Sequence, residues 1–299
     1  MKLVTIDGDG GGRLGVKWDE GILDIRAALS MVPDPEVPAD VMALLEGGET
    51  ALAALGDYLQ RLKVSGNDSR CLLPEEEVIF GPCVTRPNKI VCVGLNYRKH
   101  AAETNAAIPA FPILFNKFHN ALIGHRKDVP LPERVSSEVD YEAELAIVIG
   151  KTAKYVEKEN ALEHVFGYCC ANDLSARDLQ MRTPQWLLGK SCDGFSPLGP
   201  YLVTADEVGD PNDLGIRCAV NGEVRQRSRT SDMIFGCDEI VSYVSRHMTL
   251  VPGDVILTGT PEGVVLGYPK DRRVYLRAGD VVTVEIEKLG SLTNRMIGE

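Results

Sequence analysis

Two glutamates stand directly in front of an apolar segment that has the composition of a buried strand. Glu142 and Glu144 precede the run 145–149 (LAIVI), in which β-branched residues predominate. Residues two apart on a strand point to the same face, so both carboxylates are aimed at one place. Two like charges buried side by side are unfavourable unless a cation lies near them. The segment therefore requires a fold that brings positive charge to this point.

A third carboxylate, Asp173, follows a second apolar run at 165–171 (VFGYCCA). If the two apolar runs pair as neighbouring strands, three carboxylates converge without a histidine or cysteine among them. An all-oxygen ligand set is typical of Mg, Mn or Ca rather than Zn. The alternative is three solvated carboxylates at a sheet edge that bond to the backbone, and the spacing alone leaves both interpretations open.

Length and composition indicate a soluble globular protein. The 299 residues can bury a large core in one or two domains. The net charge of −11 argues against nucleic acid or an anionic membrane as partner, although a metal or lysine inside a cleft still permits an anionic small molecule. No run approaches the roughly 18 apolar residues of a membrane helix, and the N-terminal segment lacks the apolar core of a signal peptide. The predicted location is therefore the cytoplasm.

The cysteine pattern agrees with that location. The chain has 8 cysteines but no C-x-x-C pair, and Cys92, Cys169 and Cys170 lie inside apolar runs. We interpret them as reduced, buried residues rather than as disulfides or metal ligands.

Residues 1–80 differ in pattern from the remainder and are predicted to form a small N-terminal α/β domain. Strands are expected at 3–6, 13–18 and 21–25, and leucines at helical spacing predict a helix over 52–62. The glycine-rich segment 7–12 predicts a hairpin turn, because the downstream glutamate of a calcium loop is missing.

Residues 81–299 are predicted to form the main domain, with many short strands and few helices. The expected strands are 90–93, 113–116, 145–150, 165–171, 201–203, 216–220, 255–258 and 281–286. The expected helices are 97–103, about 175–188 and 232–247. This order is neither a βαβ repeat nor a regular sandwich, so the predicted class is α+β with a β-rich mixed sheet.

His100 and Glu103 are candidates for acid–base chemistry. They are three residues apart on a predicted helix, so their side chains can touch. A carboxylate bonded to one imidazole nitrogen fixes the tautomer and leaves the other nitrogen free to take a proton from water. The alternative is a surface pair without a chemical role.

Two further segments become of interest if a metal is bound. Three carboxylates and one divalent cation still carry a net negative charge, so an anionic substrate requires a nearby lysine or arginine. Lys190, in the predicted loop 188–197, is the candidate, although loop lysines are usually solvated. The loop 258–263 follows a predicted strand, and its small residues allow backbone N–H groups to face an anion; a plain turn is the alternative.

Taken together, the motifs resemble the fumarylacetoacetate hydrolase (FAH) family, in particular its smaller bacterial-type members with an added N-terminal domain. Seven motifs occur in the family's order: G-x-N-Y-x-x-H-x-x-E at 94–103, D-Y-E-x-E-L-A at 140–146, N-D-x-x-A-R-D-x-Q at 172–180, G-K-S-x-D at 189–193 with P-x-G-P at 197–200, N-G-E at 221–223, S-D-M-I-F at 231–235, and P-G-D-x-I-x-T-G-T-P-x-G at 252–263. They cover nearly everything from Lys89 to Thr293.

The resemblance implies a β-rich FAH-type fold, a homodimer and a bound Mg2+ or Mn2+ ion. It implies that the metal ligands are Glu142, Glu144 and Asp173. It implies that His100 and Glu103 form a dyad on a mobile lid, that Lys190 and Gln180 contact a 2-oxo acid, and that Thr260 holds its carboxylate through the loop backbone. Tyr97 and Arg177 are further candidates for substrate contact.

Two departures from the family pattern bear on the substrate. Val265 stands where relatives often have glycine, and the segment 115–120 keeps a lysine but lacks the prolines and serines common around it. Both lie where the variable end of the substrate is expected.

The function expected first is metal-dependent hydrolysis of a C–C bond in a 2,4-dioxo acid of the acylpyruvate type. His100, steadied by Glu103, would deprotonate a water that attacks the distal carbonyl, and the metal with Lys190 would stabilise the departing pyruvate enolate. The alternatives at the same site are decarboxylation of oxaloacetate and isomerisation of 2-hydroxyhepta-2,4-diene-1,7-dioate. A 2-oxo-acid-binding relative without catalysis is the last alternative.

Overall fold

The computed structural model describes residues 1–8, 11–18, 21–66 and 68–299. The strands are β1 (Lys2–Ile6), β2 (Arg13–Trp18), β3 (Gly21–Asp24), β4 (Leu72–Leu73), β5 (Ile90–Gly94), β6 (Ile113–Lys117), β7 (Leu122–Ile123), β8 (Asp128–Leu131), β9 (Val139–Asp140), β10 (Ala143–Ile149), β11 (Val165–Asn172), β12 (Ser175–Ala176), β13 (Ser196–Thr204), β14 (Gly215–Val220), β15 (Glu223–Arg229), β16 (Val255–Leu257), β17 (Val281–Ile286) and β18 (Gly290–Gly298). The helices are α1 (Ile25–Met31), α2 (Val41–Ser65), α3 (Arg98–Glu103), α4 (Arg177–Gln180), α5 (Leu187–Lys190), α6 (Ala205–Val208) and α7 (Cys237–His247).

Many strands and mostly short helices confirm the predicted β-rich α+β class. A large sheet has the order β4-β3-β2-β1-β13-β11-β10-β16-β5-β6, with β7 beside β13. Most pairs are antiparallel, but β16 runs parallel to β5. A second sheet has the order β15-β14-β17-β18-β8, and β12 pairs with β9. The sheets are therefore mixed, as predicted.

The large sheet is buried on both faces, and this is why its central strands read as continuous apolar runs. On β10, Leu145, Ile147 and Ile149 belong to the core shared with the second sheet and α7. Ala146 and Val148, which point the other way, belong to the core beneath α2. Because side chains alternate between the two faces of β10, both cores pack against this one strand. Glu144 lies near its start.

The first 80 residues contribute strands to the same large sheet. β1 pairs antiparallel with β13, so the N-terminal strands continue the sheet without a break. Helix α2 packs Leu55, Leu59 and Leu62 into the core on one face, which confirms the helix predicted from the leucine spacing. It begins earlier than predicted, where Asp40 accepts a hydrogen bond from Ala43 N at 2.9 Å. The division at residue 80 stays a prediction.

The prediction of a helix over about 175–188 is wrong. The segment contains β12, then α4, then non-helical backbone over 181–186, then the start of α5. Pro184 explains the break, because proline has no N–H to donate and disfavours a helical conformation in the residue before it. Thr183 Oγ1 satisfies this turn locally by bonding Gln185 O at 2.9 Å.

The helix predicted over 232–247 begins only at Cys237. The residues before it are extended because Phe235 N donates to Asn96 Oδ1 at 2.9 Å, tying the segment to the end of β5. Strands β8, β15 and β18 were not predicted. Strand β15 reads EVRQRSR, a mostly polar edge strand that lacks the apolar signal on which the prediction relied.

The two loop predictions have different outcomes. The turn predicted at 7–12 includes residues 9 and 10, which lie outside the described residues, but β1 and β2 on either side pair antiparallel. Lys190 was predicted to lie in a loop, whereas it ends helix α5 and is buried.

Candidate active site

Three carboxylates meet where β10 begins and β11 ends. Strands β10 and β11 are antiparallel neighbours with Ala143 opposite Asn172, so Glu144 and Asp173 come from adjacent strands. Asp173 N donates to Glu142 O at 2.9 Å and fixes the two segments to each other. One carboxylate oxygen from each of Glu142, Glu144 and Asp173 lies within 4.8 Å of the others. The predicted pairing and the convergence it implied are therefore present.

Two buried lysines stand among these carboxylates. Lys190 Nζ donates to Glu142 Oε2 at 2.7 Å and to Asp173 Oδ2 at 2.8 Å. Lys117 Nζ donates to the other oxygen of Asp173 and, at 3.3 Å, to Leu174 O. Neither ammonium group is solvated, which resolves the alternatives left for Lys190 in favour of a buried, paired lysine.

The pKa shifts of the cluster follow from these contacts. Burial by itself raises the pKa of Glu142, but Lys190 and Arg177 outweigh it and lower the value to about 2. Burial, followed by the charges of Asp173 and Glu142, raises the pKa of Glu144 well above its usual range. Burial alone would lower the pKa of Lys190, yet Asp173 and Glu142 more than offset it and raise that pKa. Glu144 is thus the carboxylate for which the protein supplies least positive charge.

The charge and chemistry of the cluster fit a hard divalent cation. The cluster has four carboxylates and three cationic side chains, so its net charge is −1 when all are ionised. The carboxylates are Asp140, Glu142, Glu144 and Asp173, and the cations are Lys117, Arg177 and Lys190. A divalent ion would make the total positive by one, which would favour an anionic ligand. The donors are all oxygens, the set that Mg2+ and Mn2+ prefer.

His100 and Glu103 form the pair that their spacing predicts. On α3, His100 Nδ1 lies 2.7 Å from Glu103 Oε1. The other carboxylate oxygen of Glu103 accepts from Gly263 N at 3.0 Å, which ties the helix to the loop after β16. His100 is buried and lines the same cavity as Glu142 and Glu144. With Nδ1 held by the carboxylate, Nε2 is the ring nitrogen left for proton transfer.

Arg177 binds the carboxylate cluster rather than standing free in the cavity. Its Nε donates to Asp140 Oδ2 at 2.9 Å, and a terminal nitrogen lies 2.7 Å from Glu142 Oε1. The other terminal nitrogen donates to Gln180 Oε1 at 2.9 Å. This contact holds the Gln180 amide oxygen, and Gln180 lines the cavity. Arg177 therefore orients Glu142 and Gln180 in this structure.

The hydroxyl of Thr260 is already committed to the protein. It donates to Ala143 O at 3.0 Å and accepts from Gln226 Nε2 at 2.9 Å, so a substrate contact through Thr260 falls to its backbone. Gly259 N donates to Glu144 Oε2 at 2.7 Å. The Gly259 N–H of the loop after β16 is therefore directed to the protein's own Glu144.

Tyr97 is fully buried and is absent from the residues that line the cavity. Its hydroxyl has no hydrogen-bond partner within the described part of the chain. Its predicted contact with substrate stays a prediction.

The site encloses a cavity of about 250 Å3. Of the ten residues predicted for the site, seven line it: His100, Glu142, Glu144, Arg177, Gln180, Lys190 and Thr260. Asp173 and Glu103 stand behind them, each bonded to a lining residue. The opposite wall is apolar and includes Val93, Ile113, Phe115, Trp186 and Leu266.

Sequence reasoning missed three residues that hold the site together. Lys117 was noted only as a lysine kept within 115–120, and its burial beside Asp173 had no sequence signal. Asp140 accepts from Val265 N and Leu266 N as well as from Arg177, so it anchors the loop over the site. Gln226 reaches in from the second sheet to Ala143 N at 2.9 Å, a long-range contact that spacing along the chain cannot reveal.

Comparison with known proteins agrees with this geometry. The family model for the fumarylacetoacetate (FAA) hydrolase C-terminal domain matches residues 89–297. The chain belongs to the FAH family.

The mitochondrial oxaloacetate tautomerase fahd2 of Xenopus laevis is 43% identical over 289 residues, which cover 95% of this chain and 86% of that protein. The fumarylacetoacetate hydrolase of Exiguobacterium antarcticum has a similar structure, with a TM-score of 0.83 and 35% identity over 100% of both chains. A maleylpyruvate hydrolase from Sphingobium, solved with manganese(II) and pyruvate, has a TM-score of 0.79 and 32% identity over 100% of this chain and 99% of that one. These neighbours confirm the FAH-type fold.

Within the described ranges, no helix has both the length and the hydropathy needed to cross a bilayer. The cytoplasmic location and the homodimer stay predictions, since the Xenopus relative is named as mitochondrial and the structure contains one chain.

Proposed function

We propose that this protein is a Mg2+- or Mn2+-dependent enzyme that interconverts the enol and keto forms of oxaloacetate or a closely similar 2-oxo acid. The observation that carries the proposal is the position of His100. Its Nδ1 is held by Glu103, and its imidazole lines the same cavity as Glu142 and Glu144. His100 would thus carry protons beside three carboxylates that could hold a cation.

A bound divalent cation would supply stabilisation of negative charge on the 2-oxo oxygen. Glu142, Glu144 and Asp173 would hold it. The ammonium group of Lys190 adds a fixed positive charge beside the same oxygen. Gln180 would donate its NH2 group to the substrate, and the backbone of Thr260 would face the carboxylate.

In the proton transfer, His100 carries the proton and Glu103 stabilises its charged form. His100 Nε2 takes the proton from C3 of the keto acid, and the electron pair of that C–H bond moves toward the oxygen at C2. The His100 imidazolium then returns this proton to the oxygen at C2, which gives the enol and restores the neutral imidazole; the reverse sequence gives the ketone. Glu103 stabilises the imidazolium that forms in between, so it acts through His100 without touching the substrate.

The similarity to an oxaloacetate tautomerase over 95% of the chain supports this reaction ahead of C–C hydrolysis, which the sequence placed first. Hydrolysis of a 2,4-dioxo acid is the second candidate. The similarity to a maleylpyruvate hydrolase solved with manganese(II) and pyruvate favours it, and it uses the same His100 to activate water. Decarboxylation of oxaloacetate is a further candidate at this site.

One set of assays separates the candidates. The protein is incubated with Mg2+ and either oxaloacetate or acetylpyruvate, while enol absorbance and pyruvate release are followed together. The proposal expects loss of the oxaloacetate enol without pyruvate, and exchange of the C3 hydrogens with D2O. Pyruvate from oxaloacetate would indicate a decarboxylase, and pyruvate with acetate from acetylpyruvate a hydrolase. Metal binding without turnover of either acid would favour a non-catalytic binding protein.

A further inference from the structure

The apolar wall of the cavity is organised around Trp186. The indole packs edge-on against Phe115, with ring centroids 5.3 Å apart and planes at 67°. It also lies over Gly94, where a Cβ atom would come within 2.4 Å of the indole ring. Only glycine at the end of β5 therefore leaves space for the ring in this position. Two separate segments thus fix one large aromatic side chain at the cavity wall.

The cations that line the cavity are already engaged. Arg177 binds Asp140 and Glu142, and Lys190 binds Glu142 and Asp173. Beyond them, the apolar wall offers no arginine or lysine among the described lining residues. A second carboxylate held well beyond C4, as in a seven-carbon dienedioate, would therefore enter an apolar surface without a partner, which is unfavourable.

The cavity is also small. Its volume of about 250 Å3 lies below the roughly 300–1,000 Å3 common for sites that hold drug-sized ligands. An aromatic side chain fixed at its wall removes space that a longer chain would need. Trp186 is itself only partly buried, so the ring is not required to fill a core.

We propose that Trp186 is the residue that limits the length of the substrate, with Phe115 and Gly94 fixing its position. The site would then accept 2-oxo acids of about four carbons and reject longer acylpyruvates and seven-carbon dienedioates. This inference rests on the proposed function only in assuming that a 2-oxo acid binds at the metal.

Binding of a ligand series tests the length limit without requiring turnover. Linear 2-oxo acids from pyruvate to 2-oxooctanoate are titrated in the presence of Mg2+ by calorimetry. For the unmodified protein we expect affinity to fall at least ~10-fold once the chain passes four or five carbons, within the range that one misplaced methylene costs in a closed pocket. For Trp186→Ala we expect that fall to vanish or to move outward by at least two carbons.

Leu188→Ala is the matched control, because this exposed leucine lies on the short helix α5 that begins directly after Trp186 and is not among the lining residues. It should keep the length limit of the unmodified protein. Equal affinity along the whole series, a limit that survives in Trp186→Ala, or the same change in Leu188→Ala would each overturn the inference.

Fluorescence gives a second, direct readout. The chain has two tryptophans, Trp18 and Trp186, so the variant Trp18→Phe carries a single reporter at the cavity. Saturation with pyruvate and Mg2+ should change its emission. An unchanged spectrum with calorimetrically proven binding would contradict a contact between ligand and indole.

Failure of the proposed function has a different signature. A length limit that depends on Trp186, in a protein that turns over no 2-oxo acid, would overturn the enzyme proposal and leave the inference standing. If no 2-oxo acid binds with the metal present, both are overturned.

Discussion

The buried charges of the active site and the surface ion pairs of the second sheet have the same bond lengths but different surroundings. Lys190 lies 2.7 Å from Glu142, and both side chains are at most 6% exposed. Arg217 lies 2.7 Å from its cross-strand partner Glu285, with side chains 47% and 39% exposed. Distance alone therefore says little about what each pair contributes.

The two regions differ in how strongly water screens their charges and in the free-energy cost of burying them. A surface pair is screened by water and contributes little to stability. A buried cluster loses hydration, and that loss is offset only if every charge is matched. The site leaves one negative charge unmatched, at Glu144. This imbalance should lower stability without a metal and would favour binding of a cation, so substitutions in the buried cluster should have effects that substitutions at the surface lack.

The largest effect is expected for Glu144→Gln. Loss of a ligand should weaken metal binding by more than the roughly 10–100-fold that loss of an outer-shell partner costs, and turnover should fall below detection. The metal-free protein, in contrast, should be as stable as the unmodified one or more so, because a poorly matched charge has been removed. Calorimetric metal titration and urea unfolding in EDTA measure the two effects. Glu285→Gln is the surface control and should change neither. Unchanged metal affinity in Glu144→Gln would refute the assignment of Glu144 as a metal ligand.

His100→Ala should reduce turnover by roughly 10²–10⁴-fold, the range for loss of a positioned general base. Metal affinity should stay unchanged, because His100 is not one of the carboxylate ligands. D2O exchange at C3 of oxaloacetate should fall in parallel with turnover. His247→Ala, at the exposed end of α7, serves as control. Turnover within threefold of the unmodified enzyme would remove His100 from the proton transfer.

The sequence predicted those site residues whose partners lie close in the chain or on a neighbouring strand. Glu142, Glu144 and Asp173 were found because each adjoins an apolar run, and the strand period fixes their direction. His100 and Glu103 were found because one helical turn joins them. In each case the partners are local, or lie on neighbouring strands whose pairing the apolar runs predict.

The residues that were missed act across long sequence separations. Lys117 reaches Asp173 from the edge strand β6, and Gln226 reaches Ala143 from the second sheet. Trp186 was missed because the segment 175–188 was interpreted as one helix, which would have placed the indole elsewhere. Polar strands such as β15 were also missed. Its polar composition gives no strand signal, and its strand conformation comes from pairing with β14.

Lys117→Met tests how much stability is lost when a buried carboxylate loses one of its cationic partners. Removal of this ammonium leaves Asp173 with Lys190 as its remaining buried lysine, and we expect a loss of about 3 kcal/mol in unfolding free energy without metal. Saturating Mg2+ should restore part of it. Urea unfolding with and without metal gives both values. The control is Lys158→Met, whose lysine pairs with Asp238 and Glu239 at the surface. An equal effect of the two substitutions would contradict the distinction between the regions.

A buried histidine outside the site gives a pH test of the same idea. Burial, aided by Arg126, lowers the pKa of His125 from 6.5 to about 4, and its Nδ1 accepts a hydrogen bond from Thr293 N at 3.0 Å. The unfolded chain binds a proton first as pH falls, so the contribution is intact above pH 6.5 and is lost progressively down to about pH 4. The maximum loss is about 3 kcal/mol. His125→Gln should flatten this part of the stability profile, measured by urea unfolding; an unchanged slope would exclude His125 as its source.

The smallest effect is expected at the surface pair with which the comparison began. Arg217 and Glu285 lie opposite each other on β14 and β17, so their contact is well formed but open to water. A double-mutant cycle with Arg217→Ala and Glu285→Ala should give a coupling free energy below about 1 kcal/mol, decreasing further at high salt because exposed charges are screened. Urea unfolding at two ionic strengths measures it. A coupling as large as the loss of about 3 kcal/mol expected for Lys117→Met would mean that burial is not what separates the two regions.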